Sequence, residues 1–164
     1  MQARESIFTV IEKFKLNWPD CGERLNPYFL KMYRIHELLQ AQIENYLAGL
    51  GLQKADFSLM TALRRSEHPY VLSPTELSQS MVFSSGGLTK VIMRLDQKGY
   101  IKRLDNPDDK RSRLVALTEI GKHIVEETMS EVQKMEQNSC PLTEQECDQL
   151  VALLDKLLHK LERE

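Results

Sequence analysis

Three cations crowd one short stretch of the chain. In "RLDNPDDKRSRLVALTEIG", Arg103 to Gly121, the turn-forming Asn106-Pro107-Asp108-Asp109 separates two extended runs, so Lys110, Arg111 and Arg113 fall on the tip and returning arm of a β-hairpin. They have no core to serve. Either they keep an edge strand solvated, or they are aimed at something negative. The preceding "SSGGLTKVIMRLDQK" narrows the choice. With Leu88, Val91, Ile92 and Leu95 turned inward at helical spacing, the other face offers Ser85, Thr89, Lys90, Met93 and Gln97, with Ser84 and Arg94 at its margins. Small hydroxyls at the leading end of a helix can approach base edges in a major groove, and the cations can reach bases or phosphates. A narrow minor groove accepts an inserted arginine, and Asp109 stands where it can brace Arg111.

Other chemistries find little support. The sequence shows no nucleophile elbow, phosphate loop or dinucleotide fingerprint. Glu126-Glu127 and Glu144/Glu146 lie among other charges on helices and read as solvated surface. His36, His68, His123 and His159 have no metal-ligand spacing with one another or with the cysteines. Cys21, Cys140 and Cys147 form no disulfide framework. Cys21 is placed in a loop near Arg24 but also near Asp20 and Glu23, without a thiolate-stabilising field; Cys140 and Cys147 are expected to pack. No enzymatic activity, metal or cofactor is expected.

Charge is distributed unevenly. The chain of 164 residues has a formal net charge of −2, yet Ser84 to Leu117 holds eight Lys/Arg against four Asp. That is one basic face on an acidic body, the footprint of a polyanion partner. No apolar run approaches the roughly 20 residues that span a bilayer, and Glu5 comes too early for a signal peptide. A cytoplasmic location is the expectation.

The elements that must position these groups are mostly helical. A stripe at Ile7, Val10, Ile11 and Phe14 predicts a helix over 5–16, ended by "NWPDCGERLNP". Asn26-Pro27 opens a second, running to about Leu50 with Met32, Ile35, Leu39, Ile43 and Leu47 on one side. A third covers about 54–66 and buries Phe57, Leu59, Met60 and Leu63. Ser73-Pro74-Thr75-Glu76 is a capping box with proline at the first helical position. A helix starting at Ser84 or Ser85 follows, ending before Gly99. It places Gly86-Gly87 in its first turn, at about 1 kcal/mol each relative to alanine; a close phosphate or a close neighbouring helix would each justify that. Strands are expected at 100–104 and 113–117. Thr118 caps a helix through Ile120, Ile124, Val132 and Met135. Thr143-Glu144-Gln145-Glu146 caps the last one, with Leu150, Leu153, Leu154, Leu157, Leu158 and Leu161 in a stripe. The order helix, turn, helix, strand, basic tip, strand is a winged helix-turn-helix.

"LSPTELSQSMVFSSGGLTKVIMRLDQKGYIKRLDNPDDKRSRLVALTEIGK", Leu72 to Lys122, closely resembles the DNA-binding core of MarR-type transcriptional regulators. The marker is D-x-R-S-x-x-V-x-L-T with Gly three residues on, here Asp109, Arg111, Ser112, Val115, Leu117, Thr118 and Gly121; Arg94-Leu95 to Arg103 matches as well. The resemblance covers about a third of the chain. It implies a single domain over 1–164, with a winged helix-turn-helix over 52–122 and dimerisation helices over 1–50 and 119–164. It further implies a homodimer on a palindromic site, an Asp109–Arg111 pair in the wing, Arg111 in the minor groove and the helix from Ser84 in the major groove. The DNA-contacting set expected is Ser73, Thr75, Ser84, Ser85, Gly87, Thr89, Lys90, Arg94, Asp109, Lys110, Arg111 and Arg113. Independently, the apolar stripes near 32–47 and at the C-terminus exceed what a small winged helix needs, and a two-fold partner would bury them.

Many members of that family release DNA when a small anionic aromatic effector binds between the dimer-forming and DNA-binding parts. Trp18, Tyr33, His36, Phe57, Met60 and Arg64 are the candidate lining groups; side chains of these types at helical spacing also serve as ordinary core. "ALRRSEHPYVLSPTEL" is similar to a urate-responsive branch, and Trp18 fits that branch's tryptophan. Ser58 and Val91 stand where the branch has charged groups, which speaks against urate itself. The expected function is a ligand-responsive, sequence-specific duplex-DNA regulator, a repressor. The alternatives are a winged-helix protein-interaction module, which an apolar exposed helix would have favoured, and a redox sensor built on Cys21.

Overall fold

The computed structural model describes residues 4–81, 87–107, 109 and 112–162. They form eight helices and three strands in the order α1 (Ile7–Asn17), α2 (Pro19–Gly22), α3 (Pro27–Gly49), α4 (Lys54–Arg64), β1 (Val71–Leu72), α5 (Pro74–Ser80), α6 (Leu88–Gln97), β2 (Ile101–Asp105), β3 (Arg113–Leu117), α7 (Glu119–Ser139) and α8 (Glu144–Leu161). The fold is mostly α with a small β-wing, as the sequence predicts. Two compact units are distinguished, Met1–Thr128 and Met129–Glu164.

In the first unit the hairpin β2–β3 pairs Ile101 with Leu117 through to Asp105 with Arg113. A two-residue strand on its other side pairs Val71 with Ala116 and Leu72 with Val115, so the sheet order is β1-β3-β2. β1 was not expected; two residues are too few to show a period. Nor was α2, a single turn that takes Cys21 out of a loop. The core beneath the sheet comes from many elements: Leu47 of α3, Leu59, Met60 and Leu63 of α4, Leu77 of α5, Val91 and Leu95 of α6, Ile101, Val115 and Val125. Each such side chain contributes about 1.5–3 kcal/mol by leaving water. The helices α4, α5 and α6 and the hairpin strands β2 and β3 each supply at least one of them, so the helix-turn-helix and its hairpin pack around one centre.

Ser73 caps α5 as the sequence requires. Its Oγ accepts from the Glu76 N–H at 3.3 Å, and the Glu76 carboxylate accepts from the Ser73 N–H at 2.7 Å. That bond holds the Glu76 carboxyl below the usual carboxylate range. In the second unit, Thr143 and Glu146 repeat the arrangement at the start of α8, with the same effect on Glu146.

Two glycines fix where the wing leaves α6. Gly99 has φ +72° and follows the helix cap; its N–H donates to Asp96 O at 2.9 Å and the Tyr100 N–H donates to Leu95 O at 3.0 Å. This left-handed cap ends α6 and turns the chain into β2. Gly121, in the first turn of α7, lies so close to Tyr100 that a Cβ there would sit 1.9 Å from its carbonyl oxygen. Thr118 fastens the same junction, its Oγ1 donating to Gly99 O at 2.7 Å and accepting from the Gly121 N–H at 3.0 Å. The Thr-x-x-Gly of the sequence is therefore a packing device, joining α7 to the α6–β2 turn. Gly121→Ala is expected to cost about 2 kcal/mol or more in urea unfolding, as overpacking against backbone does. Gly49→Ala, where nothing lies within 4 Å of the new Cβ, should be neutral or slightly stabilising; equal effects at the two positions would contradict this account.

Candidate nucleic-acid interface

Leu88, Val91, Ile92 and Leu95 turn α6 toward the core. Thr89, Lys90 and Gln97 remain exposed, as does Met93 at 49 %. The described part of the expected outward face is therefore exposed. The start of the helix is different. It begins at Leu88, with Gly87 as its cap at φ +111°, so Gly87 lies before the first turn rather than inside it. The left-handed conformation accounts for glycine there without either of the close approaches the sequence suggested. Gly87 itself is exposed. Ser84, Ser85 and Gly86 lie outside the described residues.

Arg94, expected among the DNA-contacting groups, is paired within the protein. Its Nε donates to both carboxylate oxygens of Asp56, at 2.9 and 3.0 Å, and its Nη2 donates to Asp56 Oδ1 at 2.6 Å. The Asp56 side chain is fully buried and that of Arg94 is 30 % exposed. Two nitrogens of this guanidinium are held by a buried carboxylate, which makes it a strut from α6 to α4. Asp56 also accepts from the Gln53 N–H at 2.9 Å, so the same carboxylate caps α4. The sequence carries one sign of this. Asp56 falls at helical spacing with Leu59, Met60 and Leu63, an acid on an inner face, and such a group requires a partner.

A second tie links α6 to the wing. Asp96 meets Arg103 of β2 at 3.3 Å, with both side chains partly exposed. Between Arg94–Asp56 on one side and Asp96–Arg103 on the other, the outward face of α6 is fixed in direction relative to both α4 and β2.

In the wing, Ser112 organises the loop. Its N–H and its Oγ donate to Asp109 O at 3.0 and 3.3 Å, and its Oγ accepts from Asn106 Nδ2 at 2.9 Å. Arg113 is exposed and stands 3.7 Å from Asp105 across the hairpin. Lys110 and Arg111 lie outside the described residues, and with them the expected Asp109–Arg111 brace. Of the α5 groups, Ser73 is occupied as a helix cap and Thr75 is exposed.

The six groups proposed to line an effector site do not share one environment. Met60 is wholly buried in the core, and Phe57 packs against that core. Arg64 donates to Glu126 at 2.6 Å and lies 4.9 Å over the Tyr70 ring. The Glu126 bond holds Arg64 still more firmly protonated, and Glu126 is thereby an ion-pair partner rather than bare surface. Tyr33 and His36 are exposed on α3. Trp18 is 60 % exposed and flanks two clefts, one of about 410 Å³ with Phe14 and Lys13, and one of about 460 Å³ with Arg24 and Phe29.

Comparison with known proteins agrees with this architecture. Residues 50–112 match the family model described as MarR family. The multiple antibiotic resistance protein MarR of Salmonella typhimurium is 32 % identical over 66 % of this chain and 73 % of its own length. The transcriptional regulator PecS of Dickeya dadantii is 24 % identical over 90 % of each chain. Among solved structures, a mutant MarR from Escherichia coli complexed with operator DNA superposes with a TM-score of 0.64 at 28 % identity, over 88 % of this chain and 97 % of that one.

Removing the Asp56 carboxylate leaves a half-buried guanidinium without its partner. Breaking buried pairs costs about 3–5 kcal/mol, and water reaching one side of Arg94 places this pair at the lower end. Asp56→Ala is therefore expected to lose about 3 kcal/mol in urea unfolding. Arg94→Lys should restore only part of the stability lost in Arg94→Ala, because an ammonium lacks the two-pronged fork. Strictly additive losses in a double-mutant cycle would show that the two groups do not act as a pair.

Proposed function

The chain belongs to the MarR family, and on that premise we propose that it binds duplex DNA sequence-specifically as a homodimer, repressing transcription from a palindromic operator until a small effector releases it. The observation that carries this reading is the exposed face of α6, with Thr89, Lys90, Met93 and Gln97, braced on both flanks beside a wing that carries Arg113. A helix so held presents polar and cationic groups at the scale of a major groove, and the adjacent hairpin reaches toward the neighbouring minor groove. The similarity to a MarR structure complexed with operator DNA supports the same placement.

Uncovered apolar surface supports the dimer. In the first unit Phe8, Leu16, Tyr33, Ile35 and Leu38 are exposed on α1 and α3; in the second, Leu150, Val151, Leu153, Leu158 and Leu161 are exposed on α8. Surface of this extent is uncommon on a monomer, and a two-fold partner would remove it from water. For the effector, the cleft of about 460 Å³ at Trp18 places one cation, Arg24, among apolar groups, a fit for a small anionic aromatic compound.

Lys90→Ala is expected to weaken operator binding and to reduce the log–log salt slope by about 1, as loss of one phosphate contact does. Arg94→Ala should leave that slope unchanged, because Arg94 is already paired within the protein. Arg111→Ala should lower affinity about tenfold or more while the dimer persists in size-exclusion chromatography. Fluorescence anisotropy on a duplex selected from a random library measures all three. Unchanged affinity in both Lys90→Ala and Arg111→Ala would overturn the interface.

A further inference from the structure

The connection between α7 and α8 brings two thiols together. Cys140 follows the end of α7, its N–H donating to Gln137 O at 3.1 Å, and Cys147 lies in the first turn of α8, its N–H donating to Thr143 O at 2.9 Å. Their sulfurs are 3.8 Å apart, in contact and sharing a hydrogen bond. The placement is not left to two mobile side chains. The Glu146 carboxylate accepts from the Thr143 N–H at 2.9 Å and from its Oγ1 at 2.8 Å, and that box fixes where α8 begins. Cys140 is exposed and Cys147 half-buried, so the expectation that both merely pack is replaced by a solvent-accessible dithiol.

We propose that Cys140 and Cys147 are a modification site that a hydroperoxide closes to an intrachain disulfide and a thiol reductant reopens. A disulfide needs its sulfurs at about 2.05 Å, an approach that side-chain rotation within a short turn supplies. The exposed Cys140 acts first: as thiolate it attacks a peroxide oxygen, the O–O bond breaks, Cys140 becomes the sulfenic acid and the departing hydroxide takes a proton. Cys147, as thiolate, then attacks the Cys140 sulfur; the S–S bond forms, the S–O bond breaks and hydroxide leaves to be protonated. With hydrogen peroxide the two thiols lose two electrons and two protons, and two waters form. The order of the steps has a physical basis. The hydrogen bond to Cys140, then burial, then the nearby charges of Cys140, Asp148 and Glu146 push the Cys147 thiol above its ordinary value, so Cys147 stays protonated while the exposed Cys140 attacks the peroxide.

The test is chemical and independent of DNA binding. Full-length protein is treated with hydrogen peroxide, alkylated, and examined by intact mass and peptide mapping. The expected product has lost two hydrogens per chain, contains a peptide pair joined through Cys140 and Cys147, keeps Cys21 alkylatable, and returns to the starting mass with dithiothreitol. Cys140→Ser and Cys147→Ser should each abolish the two-hydrogen loss with helical circular dichroism unchanged. Cys140 and Cys147 both still alkylatable at a peroxide dose that oxidises Cys21 would overturn the proposal. So would a product in which either sulfur is joined to another chain, or Cys140 over-oxidised to the sulfinic acid without a cross-link.

Discussion

The carboxylate of Asp56 is fully removed from water, and that one fact constrains much of the first unit. An ionised carboxylate in such a place is tolerated only with strong, well-directed partners. Asp56 has two: the Gln53 N–H at the start of α4 and the forked guanidinium of Arg94 from α6. Any rotation of α6 about its axis, or slide along it, would break two short charge-assisted bonds together. The apolar contacts of Val91, Ile92 and Leu95 hold α6 against the core, but they are non-directional. The ion pair supplies direction. Asp96–Arg103 repeats the logic on the wing side with partly exposed groups and correspondingly less energy.

Much of the fold is legible in the sequence because its punctuation is chemical and local. Ser73/Glu76 and Thr143/Glu146 are capping boxes in the structure as in the sequence, since a box needs only four consecutive residues. The hairpin appears within one residue of its expected limits for the same reason: Asn106-Pro107 permits little else. What was not legible depends on contacts distant in sequence. Asp56 and Arg94 are 38 residues apart, and nothing local tells an arginine that faces DNA from one folded back onto a carboxylate. Gly87 reads equally well as a helix position or a cap until its φ is known. Cys140 and Cys147 look incidental until the α7–α8 turn is closed. The helical stripes identify which faces are apolar but not what covers them; Ile35 and Ile120, both on such stripes, are exposed in the single chain.

The charge pattern and the apolar pattern bear on different links of the account. The chain is slightly acidic overall, with its basic excess confined to the stretch that forms α6 and the wing. Such an arrangement favours a polyanion at one face while keeping the remainder weakly attracted to it, and makes binding steeply dependent on salt. The exposed leucines of α8 and the exposed aromatics of α1 and α3 carry little charge complementarity. They are surface whose burial is favourable wherever an apolar partner is available, and a second copy of the chain presents the same surface at the same concentration.

The central claim is that a fixed α6 and its wing engage adjacent grooves, twice, with two-fold symmetry. Groove-resolved footprinting on a selected operator duplex tests it most directly, combining guanine N7 methylation protection for the major groove with hydroxyl-radical cleavage for the backbone. The account predicts two symmetric blocks of N7 protection centred about one helical turn apart, roughly 34 Å, each with backbone protection where the adjoining minor groove faces the protein. Protection confined to a single asymmetric block, or backbone protection with no protected N7 at any sequence, would contradict it.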